Sequence, residues 1–282
     1  MKKRILAGLL TAVMSMSMVA CGSSANDSAA SDTASADTAA SAAEESTDSD
    51  VAYIQDKGTL IVGITDFAPM DYKDDNGEWI GFDADVARKV AESLNVDVEF
   101  VEIDWDNKIL ELENKSIDVV WNGMTLTPEV TSAMETTKAY CNNAQVVVVN
   151  ADVADDYQDV DSLADLSVAV ESGSAGEEAA NENGLNAIAV KSQADAVMEV
   201  AAGTSDACII DLLMAGAMVG EGTSYPNLAH TVELTTEEYG IGCRKDSDLA
   251  DYINEQLKAL YEDGTMESIG TEYGVQDAIV AQ

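Results

Sequence analysis

From residue 59 onward the apolar pattern of the chain switches repeatedly between strand and helix, and this alternation limits the fold more than any other feature. "TLIVGIT" (59–65) is a continuous apolar run of the length of a buried strand, and "DADVARKVAESLN" (83–95) places Val86, Val90 and Leu94 on one helical face. "VDVEFVEI" (96–103) alternates as a strand, "WDNKILELENKS" reads as a helix, and "IDVVW" as a further strand ending at Trp121. Such an order predicts a mainly parallel sheet covered by helices, with ligands held at the carboxyl ends of its strands.

The alternation then restarts. "AQVVVV" (144–149) is strand-like, and "LSVAVESGSAGEEAANENG" (166–184) repeats strand, Gly/Ser turn and helix. "NAIAV" and "DACIID" supply two more strands around the helix "SQADAVMEVAAG", and helical runs near 248–262 and 265–272 follow "YGIGCRKDS". Two α/β units are therefore expected, one from 51–143 plus 240–282 and one from 144–239. A single doubly wound sheet is the alternative arrangement.

The amino terminus sets an expected location. Lys2, Lys3 and Arg4 precede an apolar run from Ile5 to Ala20, too short for a comfortable membrane span, so residues 1–20 read as a secretory signal peptide. The run ends "MSMVAC", the pattern by which bacterial lipoproteins are cut and acylated at the cysteine, here Cys21. Residues 21–50 then contain no aromatic or branched aliphatic side chain to offset the entropy of ordering, and read as a flexible tether. It would hold the folded part roughly 30 Å from a membrane anchor, at about 5–6 Å times the square root of its length. The expected place is the outer face of a bacterial cell membrane.

Charge and rare residues exclude several classes. With 53 acids against 14 bases, nucleic acid is excluded as a partner. Cys141, Cys208 and Cys243 are odd in number and lack metal-type spacing, so neither a disulfide framework nor a metal site is expected. His230 is the sole histidine, which leaves little from which to build a catalytic triad, and nothing calls for a cofactor.

Polar residues gather where strands should end. After Trp121 come Asn122, Gly123 and Thr125, then Thr127 and Pro128, a good N-cap and first helical residue. "ESGSAGEE" (171–178) is a second such turn, with Gly173, Ser174 and Gly176; it lacks the ending of a nucleotide loop, and its charges would repel phosphate. Asp211 closes "DACIID", either as a helix cap or as the partner of a ligand ammonium. Phe67 and Trp105 also follow strands, and serve either as walls for a ligand or as closure of the core.

Together, "GEWIGFDADVARKVAESL", "EFVEIDWDNKILEL", "IDVVWNGMTLTPE" and "LYEDGTMESIGTEYG" resemble the solute-binding proteins of ABC importers for polar amino acids, family 3, over residues 55–275. The resemblance implies a two-lobed, periplasmic-binding-protein-like (type II) α/β fold with two hinge strands, closing as a monomer on an amino acid or amine and presenting it to a membrane permease. It implies that Phe67 and Trp105 are aromatic walls with Asp66 beside them. Asn122, Gly123 and Thr125 then meet the ligand's polar end, Ser174 contributes from the second lobe, and Asp211 receives the ammonium.

One position departs from the family. Where members commonly read "TPER", this chain reads "TPEV", so Val130 replaces the arginine that grips the ligand's carboxylate. Loss of such a charge-assisted pair forfeits about 1.5–3 kcal/mol, or one to two decades of affinity. Lys108 is a candidate replacement, and the backbone N–H groups at the helix starts after Thr127 and Ser174 are another. The expected function is binding rather than catalysis; a cyclohexadienyl-dehydratase-like enzyme and a sensory module are the alternatives on the same fold.

Overall fold

The computed structural model describes residues 49–282. The signal expected at 1–20, the acylation expected at Cys21 and nearly all of the expected tether lie outside these residues. Residue 50, placed at the end of that tether, belongs instead to the helix Asp50–Lys57. Ser49 caps it by accepting the Ala52 N–H at 3.0 Å. The Asp50 carboxylate then pairs with the buried Arg244 guanidinium at 2.9 Å, an anchor that local composition does not reveal.

The chain makes two principal sheets rather than one doubly wound sheet. In the first, Asp97–Glu102, Thr59–Ile64 and Val119–Thr125 lie side by side and parallel, as the intervening helical crossovers require. Glu237–Cys243 pairs antiparallel with Val119–Thr125 and with the short strands Glu135–Thr136 and Cys141–Asn143. The second sheet has the order Asn186–Val190, Ser167–Glu171, Ala207–Asp211, Gln145–Asn150, Leu228–Glu233. Its first three strands are parallel, and each of the last two runs antiparallel to the strand before it.

The chain passes between the sheets at Ala144 and again between Leu234 and Glu237. The return falls a few residues before 240, because Glu237, Glu238 and Tyr239 pair with Asn143, Asn142 and Cys141. The same strand moves another boundary. Val119–Thr125 does not stop at Trp121, since Tyr239 and Gly240 pair opposite Thr125 and Met124, so Asn122, Gly123 and Thr125 are strand residues rather than turn residues.

Apolar faces follow the expected periods. The helix Phe82–Leu94 buries Val86, Val90 and Leu94 together with Phe82 and Ala87. Its entry needs Gly81, whose φ of +130° and contact with the Met70 carbonyl leave no space for a Cβ. "WDNKILELENKS" is a 3₁₀ turn, Trp105–Asn107, followed by the short helix Lys108–Glu113. The thiols of Cys141, Cys208 and Cys243 are free and buried, packed as small apolar groups. No helix among the described residues is long and apolar enough to cross a membrane.

Candidate functional site

Strand ends of both sheets converge on a cavity of about 380 Å³. Trp105, Lys108, Asn122, Gly123, Thr125 and Val130 line it from one side, and Gln145, Glu171, Ser174, Gln193 and Asp211 from the other. Seven of the expected site residues therefore meet there: Trp105, Lys108, Asn122, Gly123, Thr125, Ser174 and Asp211. Phe67 does not line the cavity. Its ring is buried in the core beneath Gly123, edge-on to Tyr239 with centroids 6.3 Å apart. Asp66 faces a separate groove with Glu102, Lys191 and Asp195.

The floor on the first-sheet side is built from buried hydrogen bonds. Asn122 accepts from the Thr65 N–H at 3.0 Å and its hydroxyl at 2.8 Å, and donates to the Asp71 carboxylate at 2.8 Å. Gly123, at φ +54°, donates its N–H to Asp83 at 2.7 Å, and a Cβ there would press into the rings of Phe67 and Tyr239. Asp83 also accepts from the Tyr140 hydroxyl at 2.7 Å. Burial pushes the Asp83 carboxyl up to about 7, and burial together with Asp83 pushes Asp71 well above the carboxylate range. The Asn122 amide and the Gly123 N–H are therefore committed to the core. They set the floor rather than reach out of it.

Asp211 is the polar centre of the opposite side. Its side chain makes no cap for the helix Leu212–Met218 that follows it. Instead its carboxylate accepts from the Asn143 and Gln193 amides, from Gln145 at 3.0 Å and from the Tyr239 hydroxyl at 2.5 Å. Burial and the neighbouring Glu237 carboxylate raise its pKa well above the usual range, against the pull of those donors. Asn143 and Gln145 also donate to Glu237, at 2.6 and 2.8 Å. Asp211 thus sits where both crossing segments meet.

Lys108 spans the cavity. Its ammonium donates to the Gly173 carbonyl at 2.8 Å and the Trp105 carbonyl at 3.3 Å, and lies 5.0 Å from the Trp105 ring centroid. Burial lowers its pKa, with Glu129 and Glu171 opposing. Ser174 caps the helix Ala175–Glu182 by accepting the Glu177 N–H at 3.1 Å. Val130 is buried against Met124 and Met134, with one side on the cavity.

Sequence reasoning missed Gln145, Glu171 and Gln193. Glu171 ends the strand Ser167–Glu171 just as Asp211 ends its own, so the strand-end argument that selected Asp211 selects it equally. Burial pushes the Glu171 carboxyl up to about 8, against Thr65, Lys108 and Gln193. A carboxyl raised in the folded state holds a proton that the unfolded chain releases, so its stabilising share is complete below about 4.5 and is lost as pH rises to about 8. Melting temperature of the solute-free protein is expected to fall from pH 5 to pH 8, and Glu171→Gln to flatten part of that slope in a thermal melt series. Among the described residues, no group of three or more His, Cys, Asp or Glu side chains is arranged to hold a metal ion.

Comparison with known proteins places this geometry. A family model described as "Bacterial extracellular solute-binding proteins, family 3" matches residues 60–276. The arginine-binding extracellular protein ArtP of Bacillus subtilis is 29% identical over 281 residues, 95% of this chain and 96% of its own. The histidine-binding periplasmic protein of Escherichia coli is 28% identical over 73% of this chain and 84% of its own. Among solved structures, a mutant of ArgBP from T. maritima superposes with a TM-score of 0.75 at 32% identity, over 80% of this chain and 99% of that one. The ancestral amino acid-binding protein AncCDT-1, a precursor of cyclohexadienyl dehydratase, does so with a TM-score of 0.73, the same identity and the same coverage. The shared architecture is the type II periplasmic-binding fold.

Proposed function

Because the chain belongs to the bacterial extracellular solute-binding proteins of family 3, we propose that it is the receptor of an ABC importer, taking a small amino acid or amino-acid-like solute between two lobes. The lobes are built on the two sheets, residues 51–143 with the return strand onward, 237–282, and residues 144–236 between the two crossings. Acylated Cys21 and the following tether hold the receptor at the outer face of the membrane, where it works as a monomer and meets its permease.

The observation that carries this reading is the position of Asp211. It faces the cavity and accepts bonds from Asn143 and Tyr239 on the first sheet, from Gln145 on the second, and from Gln193 at the start of the helix Gln193–Ala202. A solute ammonium on Asp211 therefore acts on the point where the two crossings meet. It favours the closed arrangement by its differential affinity for that state. The Lys108 contact with Gly173 is a latch across the same gap.

Catalysis of the dehydratase kind is disfavoured by charge. Among the described residues, six acids and one base line the cavity, a poor host for a cyclic dicarboxylate. Thermal-shift titration with a panel of amino acids and amines tests the reading. A solute at a hundred times its Kd contributes about 2.7 kcal/mol, which raises the melting temperature of a protein of this size by roughly 5–10 °C. Silence across the panel, or turnover of prephenate or arogenate, would contradict it.

A further inference from the structure

The cavity is mismatched to a free amino acid. Lys108, the only base among the described residues that line it, already donates to two backbone carbonyls. Val130 presents an apolar surface at the mouth of the adjoining helix. Against these stand Glu129, Glu171, Glu177, Glu178, Glu182 and Asp211.

An acidic lining alone does not define a ligand, but Glu171 adds a separate observation. The residue is 2% exposed, it lines the cavity, and its Oε1 has no hydrogen-bond partner. A buried acceptor left unmade is costly, and a donor arriving from the cavity relieves it. Glu171 and Asp211 line the same cavity together with Gln193, which bonds Asp211 through both its amide nitrogen and its carbonyl. The charged groups facing Glu171 are Lys108 and Asp195.

Resting on the receptor reading above, we infer that the solute is a small organic cation without a free carboxylate, an amine or guanidine, cradled between Asp211 and Glu171. Two acidic side chains lining one cavity suit the several N–H donors of an ammonium or guanidinium, which on arrival releases to solvent the protons that burial holds on them. A ligand carboxylate would meet Glu129, Glu177, Glu178 and Glu182 in the same lining, with no free cation among the described lining residues to receive it.

Calorimetry on three matched pairs tests this: arginine and agmatine, lysine and cadaverine, histidine and histamine. In the pair that binds best, the decarboxylated member is expected to bind at least tenfold tighter. Glu171→Gln is expected to weaken that amine at least tenfold while keeping a melting temperature at or above the parent's, and Glu171→Asp to retain most of the affinity. Tighter binding of the amino acid in every pair, or an amine affinity untouched by Glu171→Gln, overturns the inference and leaves the receptor reading standing. If none of the six binds, the inference falls, and the receptor reading falls with it only when the wider panel is silent too.

Discussion

Asp211→Asn is expected to weaken solute binding by a hundredfold or more, the largest loss of any single change in the cavity. Truncating one side of a buried, hydrogen-bonded charge pair costs about 2–5 kcal/mol, which spans roughly thirtyfold to several thousandfold. The upper part of that range applies because the substitution does more than remove charge. The amides of Asn143, Gln145 and Gln193 and the Tyr239 hydroxyl all donate toward this side chain. An asparagine turns an NH₂ toward some of these donors, leaving buried polar groups opposed as well as a ligand cation unmatched. Lys108→Ala is expected to cost about tenfold or less, since it removes one latch to Gly173 and no ligand-facing charge of the required sign. Isothermal titration of the two variants compares them; equal losses would mean that Lys108 grips a ligand carboxylate.

Arg244→Ala is expected to destabilise the fold by about 3–5 kcal/mol, the usual consequence of removing one member of a buried ion pair and leaving the rest uncompensated. The guanidinium is 9% exposed. It donates to Asp50 through Nε at 2.9 Å and Nη2 at 2.9 Å, to the Ile117 carbonyl at 2.8 Å, and lies 3.4 Å from Asp118. Asp118 in turn accepts from Lys57 at 2.5 Å and from the Ile61 N–H at 2.8 Å. One residue thus joins the first helix, two parallel strands and the strand Glu237–Cys243. The Asp50 carboxyl is held below its usual range by this guanidinium and its neighbours, in spite of burial. Urea unfolding measures the loss; a change under 1 kcal/mol would mean that the network contributes little beyond its own desolvation.

The two-sheet architecture was legible because period and punctuation agree. Val86, Val90 and Leu94 fall on one face as spaced, and the Val-rich run at 144–149 is buried as its apolar continuity implies. What sequence did not carry was long-range pairing. The strand through Asn122 and Thr125 continues past Trp121 only because Glu237–Cys243, more than a hundred residues later, lies alongside it. The same strand brings Tyr239 over Phe67, which is why that aromatic supports Gly123 from within the core.

The site was partly legible for an equally local reason. Asp211 stands out as a carboxylate ending an apolar strand, and Trp105, Ser174 and Thr125 stand out as polar or aromatic residues at element ends. Glu171 obeys the same rule but was masked by the acids around it in "ESGSAGEE". Gln145 and Gln193 open a strand and a helix, where an amide draws no notice until the fold turns both toward Asp211.

The central claim is that the cavity at Asp211 holds a small solute, and a mass spectrum of what the natively purified protein releases on denaturation tests it most directly. The expected result is one predominant organic cation, released in about equimolar amount by the parent protein and absent from Asp211→Asn prepared in the same way. A predominant organic anion, or a solute released equally by both proteins, would contradict the account.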